Sequence, residues 1–374
     1  MRKEEEPSLL DRICRSVTTR LEDNVRVLKN QGVTPRKHRR KAPLSTLNSR
    51  SVHAAAAHAP ARVQIVLQAI EPFDFDLALR YLRAWPATVI EQIEDGVWRR
   101  AIALDGYDFA LALRSIGSVR RPRLELEVVG AGLTAQRLEQ IRGLVIRAFA
   151  LDVDPRPFRQ TIAGEPVLAT VVERYHALRP LLIIDPFEAL VWGILCQQIN
   201  LAFARRLKMA LIELCGRRLE IDGHSYLLFP SPAAVLELDP QLLRERQYSR
   251  QKIAYILGAA QALVAGTLDF SVLATLPVDQ ALARLTSFKG IGRWTAEYLL
   301  LRTLGFPDVI AAADVGLRRV IGQAYGLGGL ASEAQVRHLA LRWEGWRGWA
   351  AFYWWLDAVM TPRPSHLTST VPTQ

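Results

Sequence analysis

The sequence predicts a mainly α protein with a smaller α+β domain on its N-terminal side. Three observations carry that prediction. Residues 62–158 alternate apolar and polar positions in runs of strand length, interrupted by two helical stretches. From about residue 165 the apolar positions recur at helical spacing, with N-cap residues and glycine stops between the runs. Two glycines separated by one apolar residue, Gly290 and Gly292, then join two of these helices through a tight hairpin. The domains read from these shifts are a basic tail over 1–60, an α+β antiparallel-sheet domain over 61–158 and an all-α domain over 159–374, with the hairpin at 288–294.

The 374 residues suffice for two or three domains, and 50% of them are hydrophobic. No apolar run approaches the roughly 20 residues of a membrane span. The N-terminus, Met1-Arg-Lys-Glu-Glu-Glu, lacks the apolar stretch of a signal peptide, so a cytoplasmic protein is expected. Cys14, Cys196 and Cys215 form no pair or cluster with zinc or iron–sulfur spacing. No cofactor is expected. The net charge of +11 favours a polyanionic partner. Much of the excess sits in residues 1–60, which hold 13 Lys+Arg against 6 Asp+Glu.

In chain order, Leu10, Ile13, Val17 and Leu21 have the spacing of a short amphipathic helix, ahead of the basic run 36–41. This segment reads as an electrostatic tether to DNA or, the plainer and preferred reading, as a solvated tail or a start assigned too early. Strands are expected at 63–70, 97–104, 109–114 and 124–129, with a turn at Asp105-Gly106. Helices are expected at 77–84 and 133–149. Beyond 165 the expectation is helix only. Asp185-Pro186-Phe187-Glu188 combines an N-cap acid, an N1 proline and a glutamate three residues after the cap. Asn200, Ser231 and Ser249 start further helices, and Gly216, Gly266 and Gly305 stop them.

Four groups of residues could carry chemistry. Glycine at 290 and 292 permits backbone conformations closed to other residues and lets a phosphate approach the main chain. A helix begins there, so its unpaired N–H groups point outward at a potential anion; a plain helix–helix turn is the bland alternative. Asp314 follows three alanines and precedes Val-Gly, which leaves space beside its carboxylate. It reads as a helix N-cap and equally as a stabiliser of a developing cation, and the two roles can coexist. The aromatic residues Trp343, Trp346, Trp349, Phe352, Tyr353, Trp354 and Trp355 are dense near the C-terminus. Most are expected in the core, with one or two lining a pocket for a flat or cationic base. Gln197 and Gln198 could reach base edges or form a polar loop; spacing alone leaves both open.

Phe288-Lys-Gly-Ile-Gly-Arg-Trp-Thr-Ala-Glu-Tyr298 followed by Asp314-Val-Gly-Leu-Arg-Arg resembles the helix-hairpin-helix DNA glycosylase superfamily. Pro186-Phe-Glu-Ala-Leu-Val and Ile194-Leu-Cys-Gln-Gln-Ile are similar to its 3-methyladenine DNA glycosylase II branch. The resemblance spans roughly residues 62–360. It implies the helix-hairpin-helix DNA glycosylase fold, with Asp314 as the catalytic aspartate. Gly290, Ile291 and Gly292, with Arg293 beside them, would grip phosphate, with a monovalent cation conceivable at the hairpin carbonyls. Trp294, Tyr298 and Trp355 match pocket aromatics, and Tyr81 matches one more loosely. Gln198, beside Gln197, falls where a residue wedges into DNA.

Relatives that also cut the strand carry a lysine immediately after Gly-x-Gly-x, and here that position is Trp294. The resemblance therefore implies a monofunctional enzyme using water, with no Schiff base. Cys196, Asn200, Ala311 and Val315 depart from residues frequent in the branch, which bears on base preference. The expected partner is double-stranded DNA containing damaged bases, bound by a monomer. The expected reaction releases alkylated purines of the 3-methyladenine and 7-methylguanine type by base flipping and water attack. The alternatives are a catalytically silent hairpin module, and a glycosylase for deaminated or oxidised bases.

Overall fold

The computed structural model describes residues 60–361. The helix expected around 10–21 and the basic run 36–41 lie outside the described residues. The N-terminal portion contains β1 (Ala61–Gln68), α1 (Phe75–Ala84), β2 (Gln92–Glu94), β3 (Val97–Leu104), β4 (Tyr107–Ser115), β5 (Arg123–Gly130) and α2 (Ala135–Ala148). The strands form one antiparallel sheet in the order β1-β5-β4-β3-β2. Trp98 pairs with Leu113, and Leu111 with Val128. The two-residue period therefore puts Trp98, Leu111, Leu113, Leu126 and Val128 on one buried face. The Asp105-Gly106 turn has both residues at positive φ, 50° and 79°, as a hairpin matched to strand twist requires.

The chain continues through α3 (Arg156–Thr161), α4 (Pro166–Arg174), α5 (Pro186–Leu195) and α6 (Leu201–Cys215). Here the all-helical expectation is corrected. β6 (Arg217–Ile221) and β7 (His224–Leu228) form an antiparallel hairpin about Asp222-Gly223, with φ of 52° and 76°. Gly216 is extended, with φ −72° and ψ 164°, because it leads directly into a strand. Tyr226 and Leu228, with Leu219 and Ile221 against them, cover Ala101 and Ala110 on the outer face of the first sheet. The Asp-Gly pair between alternating residues was the available signal for this hairpin.

After the hairpin come α7 (Pro232–Glu237), α8 (Pro240–Glu245), α9 (Arg250–Val264), α10 (Phe270–Leu273), α11 (Val278–Thr286) and α12 (Arg293–Leu299). Asn200, Ser231 and Ser249 cap their helices by accepting from a backbone N–H three residues on. α12 does not continue to 304 as an α-helix. Leu300–Leu304 is a π-helical turn, closed by Gly305 at φ 75°. The last elements are α13 (Val315–Ala324), α14 (Glu333–Leu339), a 3-10 turn (Ala340–Trp343) and α15 (Arg347–Met360). α15 runs through the core. Its Trp349, Phe352, Tyr353, Trp354 and Trp355 are all buried.

The glutamate three residues after the Asp185 cap does not serve the cap. Asp185 does cap α5, accepting from Phe187 N at 2.8 Å and Glu188 N at 3.3 Å. Glu188 instead turns inward, pairing with Arg100 of β3 and with Lys208 Nζ of α6, the latter at 2.5 Å. Lys208 also donates to Ala87 O at 2.7 Å. Burial by itself would raise the Glu188 carboxyl, but Arg100 and Lys208 overcome it and hold the group below the usual carboxylate range. This triad fastens the sheet to the helices that carry the site.

Candidate active site

Asp314 stands at the N-cap of α13, its Oδ1 accepting from Leu317 N at 2.7 Å. Two indoles converge on the same carboxylate. Trp355 Nε1–H donates to Oδ1 at 3.0 Å, and Trp294 Nε1–H donates to Oδ2 at 3.1 Å. A carboxylate offers about four lone-pair positions. Three are taken, and the free one is on Oδ2. Its neighbours are small: Ala311 and Ala312 are wholly buried, and a Cβ on Gly316 would lie 3.1 Å from Oδ1.

The hairpin lies one helix earlier. Gly290 has φ 93°, and a Cβ there would fall 2.3 Å from Tyr255 Cγ, so only glycine fits. The side chain of Ile291, between the two glycines, is 3% exposed and pins the loop to the core. Its N–H donates to Phe288 O at 3.1 Å. Gly292 caps α12 without a side chain, and nothing lies within 4 Å of where its Cβ would be. The first N–H groups of α12 are thus left without a side-chain cap and face open space. Arg293 is exposed and half-committed, its Nε on buried Glu297 Oε1 at 2.9 Å.

Gln197 is turned inward. Its Nε2 donates to Gly290 O at 2.9 Å and to Thr295 Oγ1 at 3.1 Å, so it holds the hairpin in place. Gln198, exposed and with φ 58°, is the amide of the pair that faces solvent. The loop carrying both is fixed from beneath by Lys252, whose Nζ donates to the carbonyls of Ile194, Leu195 and Gln197 at 2.8–3.0 Å. Sequence reasoning missed Lys252. The carbonyls of Phe288 and Gly290 each accept one hydrogen bond.

Behind Asp314 the aromatic rings are continuous. Trp294 stacks on Tyr298 at 5.8 Å, and Tyr298 meets Trp355 at 6.3 Å. Trp355 meets Trp85 at 6.5 Å, and Trp85 stacks on Tyr81 at 5.7 Å. Tyr81, the loosest of the expected pocket residues, therefore reaches the group from α1, fully buried. Trp85 was not anticipated. It follows α1 directly, one turn after Tyr81, and a tryptophan one turn from a pocket aromatic was the available hint. Close helix contact sets this wall: a Cβ on Gly193 of α5 would already be 3.0 Å from Thr295 Cγ2 of α12.

Residues 191–345 match the model of the HhH-GPD superfamily base excision DNA repair proteins, and residues 64–180 match the AlkA N-terminal domain. The chain is 31% identical over 291 residues to the DNA-3-methyladenine glycosylase of Bacillus subtilis, covering 78% of this chain and 96% of that one. The chain belongs to the HhH-GPD base excision DNA repair superfamily. Its likeness to DNA-3-methyladenine glycosylase 2 of Escherichia coli is 30% over 289 residues, 76% of this chain and 94% of that one. The 3-methyladenine DNA glycosylase of Archaeoglobus fulgidus superposes with a TM-score of 0.68 at 28% identity, over 78% and 97% of the two chains.

In this HhH-GPD protein the lysines are easily followed, since the described residues contain only three. Lys208 is buried in the ion triad, and Lys252 is spent on three carbonyls. Lys289 is exposed ahead of the hairpin glycines. Position 294, two residues after Gly292, holds the indole that touches Asp314.

Proposed function

We propose that this protein is a monofunctional DNA glycosylase that excises alkylated purines, of the 3-methyladenine and 7-methylguanine type, from duplex DNA. The observation that carries the reading is Asp314, oriented by Trp294 and Trp355 with one lone pair of Oδ2 free. The family supplies the DNA, and relatives named DNA-3-methyladenine glycosylase supply the substrate class.

DNA is bound through its backbone at the hairpin, and the damaged nucleotide is flipped out at a cost of a few kcal/mol. An N-alkylated purine carries a positive charge, so its glycosidic bond breaks without a strong general acid. The bond electrons pass to the base, which leaves neutral, and a cationic sugar remains. Asp314 stabilises that cation electrostatically. Water on the free side of Oδ2 adds to C1′ and loses its proton to the carboxylate, leaving an abasic site.

Strand cutting through a Schiff base would need an available amine. The commitments of Lys208 and Lys252, tryptophan at 294, and the place of the exposed Lys289 ahead of the hairpin glycines rather than after them support its absence. The same reading has the enzyme act as a monomer in the cytoplasm.

The test is base release from methylated duplex DNA. Asp314→Asn is expected to abolish release while DNA binding persists, and near-normal release by that variant would overturn the assignment. Borohydride is expected to trap no covalent adduct, and a trapped adduct would overturn the monofunctional reading.

A further inference from the structure

Arg302 sits in the π-helical turn after α12, 2% exposed, and the catalytic scheme above makes no use of it. Its guanidinium carbon lies 5.0 Å from the Trp85 ring centroid, 5.5 Å from Phe352 and 5.8 Å from Tyr81. Three aromatic faces thus box a cation. Among the described residues no carboxylate lies within 4.0 Å of it, and its Nε and Nη1 have no hydrogen-bond partner. The hydroxyls of Tyr81 and Tyr298 and the indole nitrogen of Trp85 are likewise buried and unpartnered. A buried charge without an acceptor costs several kcal/mol unless something completes it.

Two series of rings connect Arg302 to Asp314. One series of rings runs from Asp314 through Trp355 to Trp85, which touches Arg302. A second runs from Asp314 through Trp294 to Tyr298, one turn before Arg302 on the same segment. Burial pushes the Tyr81 phenol up while the adjacent Arg302 guanidinium pulls against it. The π turn accounts for the placement. Its wider winding is closed by Gly305 N–H on Leu300 O, and Ile183 N holds the Arg302 carbonyl at 2.7 Å.

We infer that Arg302 is a specificity-determining residue that donates to a ring carbonyl of the extruded base, with the Tyr81 and Tyr298 hydroxyls beside it. This deepens the glycosylase reading and rests on it. A fork of N–H donors suits a carbonyl oxygen, as on a 7-alkylguanine, and does not suit the exocyclic amine of a 3-alkyladenine at the same place. Alkylation leaves both bases cationic, so their charge cancels from the comparison and the carbonyl remains as the difference.

The experiment treats one preparation of methylated duplex DNA with the full-length protein and quantifies released 7-methylguanine and 3-methyladenine by chromatography. For Arg302→Gln the ratio of 7-methylguanine to 3-methyladenine is expected to fall tenfold or more, with 3-methyladenine release within threefold of the parent. For Arg302→Lys, which keeps the charge and loses the fork, a fall of at least threefold is expected. Arg302→Lys carries the test if Arg302→Gln does not fold, judged by thermal unfolding. An unchanged ratio, or equal losses of both bases as a purely structural cage would give, overturns the inference. Failure of the parent to release either base overturns the glycosylase reading instead.

Discussion

Trp355 Nε1 and Asp314 Oδ1 are 3.0 Å apart although 41 residues separate them in the chain. The contact joins the core helix α15 to the first turn of α13. It aims the carboxylate that already caps that turn, so the same oxygen serves fold and site.

Trp355→Phe keeps an aromatic ring, though a smaller one, and removes the donor. A hydrogen bond to a charged group contributes ~1.5–3 kcal/mol. The turnover of methylated DNA is therefore expected to fall roughly tenfold or more, with affinity for the DNA unchanged. Single-turnover base release alongside a binding titration checks this, and equal loss in both measurements would assign Trp355 to packing alone.

Asp314 can be divided into its two roles by paired substitutions. Asparagine is also a good N-cap, so Asp314→Asn should keep the cap, giving up the Trp294 hydrogen bond to Oδ2, and lose activity. Asp314→Ala should lose activity and also ~1 kcal/mol of stability with the cap. Thermal unfolding of both variants separates the roles.

The two hairpin glycines should respond differently. Gly290→Ala forces an L residue to φ 93° and against Tyr255, so a loss of ~1–3 kcal/mol and weaker binding to any duplex are expected. Gly292→Ala meets open space at φ −77° and should leave stability unchanged. A bulky residue at 292 should still weaken binding to damaged and undamaged DNA alike, because it blocks the uncapped N–H groups. Denaturant unfolding and binding at two salt concentrations test both.

Glu188 predicts an acid dependence. Its folded-state pKa is depressed by Arg100 and Lys208, so its stabilising contribution is fully present above the unfolded value, ~4.3, and is lost as pH falls through the folded value. Glu188→Gln leaves Arg100 with only Glu91, and Lys208 facing a neutral group. It should cost ~3–5 kcal/mol at neutral pH and flatten the acid limb of the stability curve. Melting temperatures between pH 7 and pH 3 would show it.

What the sequence determined by itself is local. The caps at Asp185, Asn200, Ser231, Ser249 and Asp314, the Asp105-Gly106 turn and the glycine hairpin all depend on residues within four positions of one another. Backbone geometry over that distance follows from residue type. The β6–β7 hairpin was equally local, and its Asp-Gly signal was overridden by the helical pattern around it. Tertiary structure decided the rest. It turned Glu188 from its cap toward Arg100, set Gln197 under the hairpin, and brought Trp85, Arg302 and Trp355 to one group. Such contacts span tens to hundreds of residues. They depend on which helix faces bury against each other, and no spacing rule along the chain records that choice.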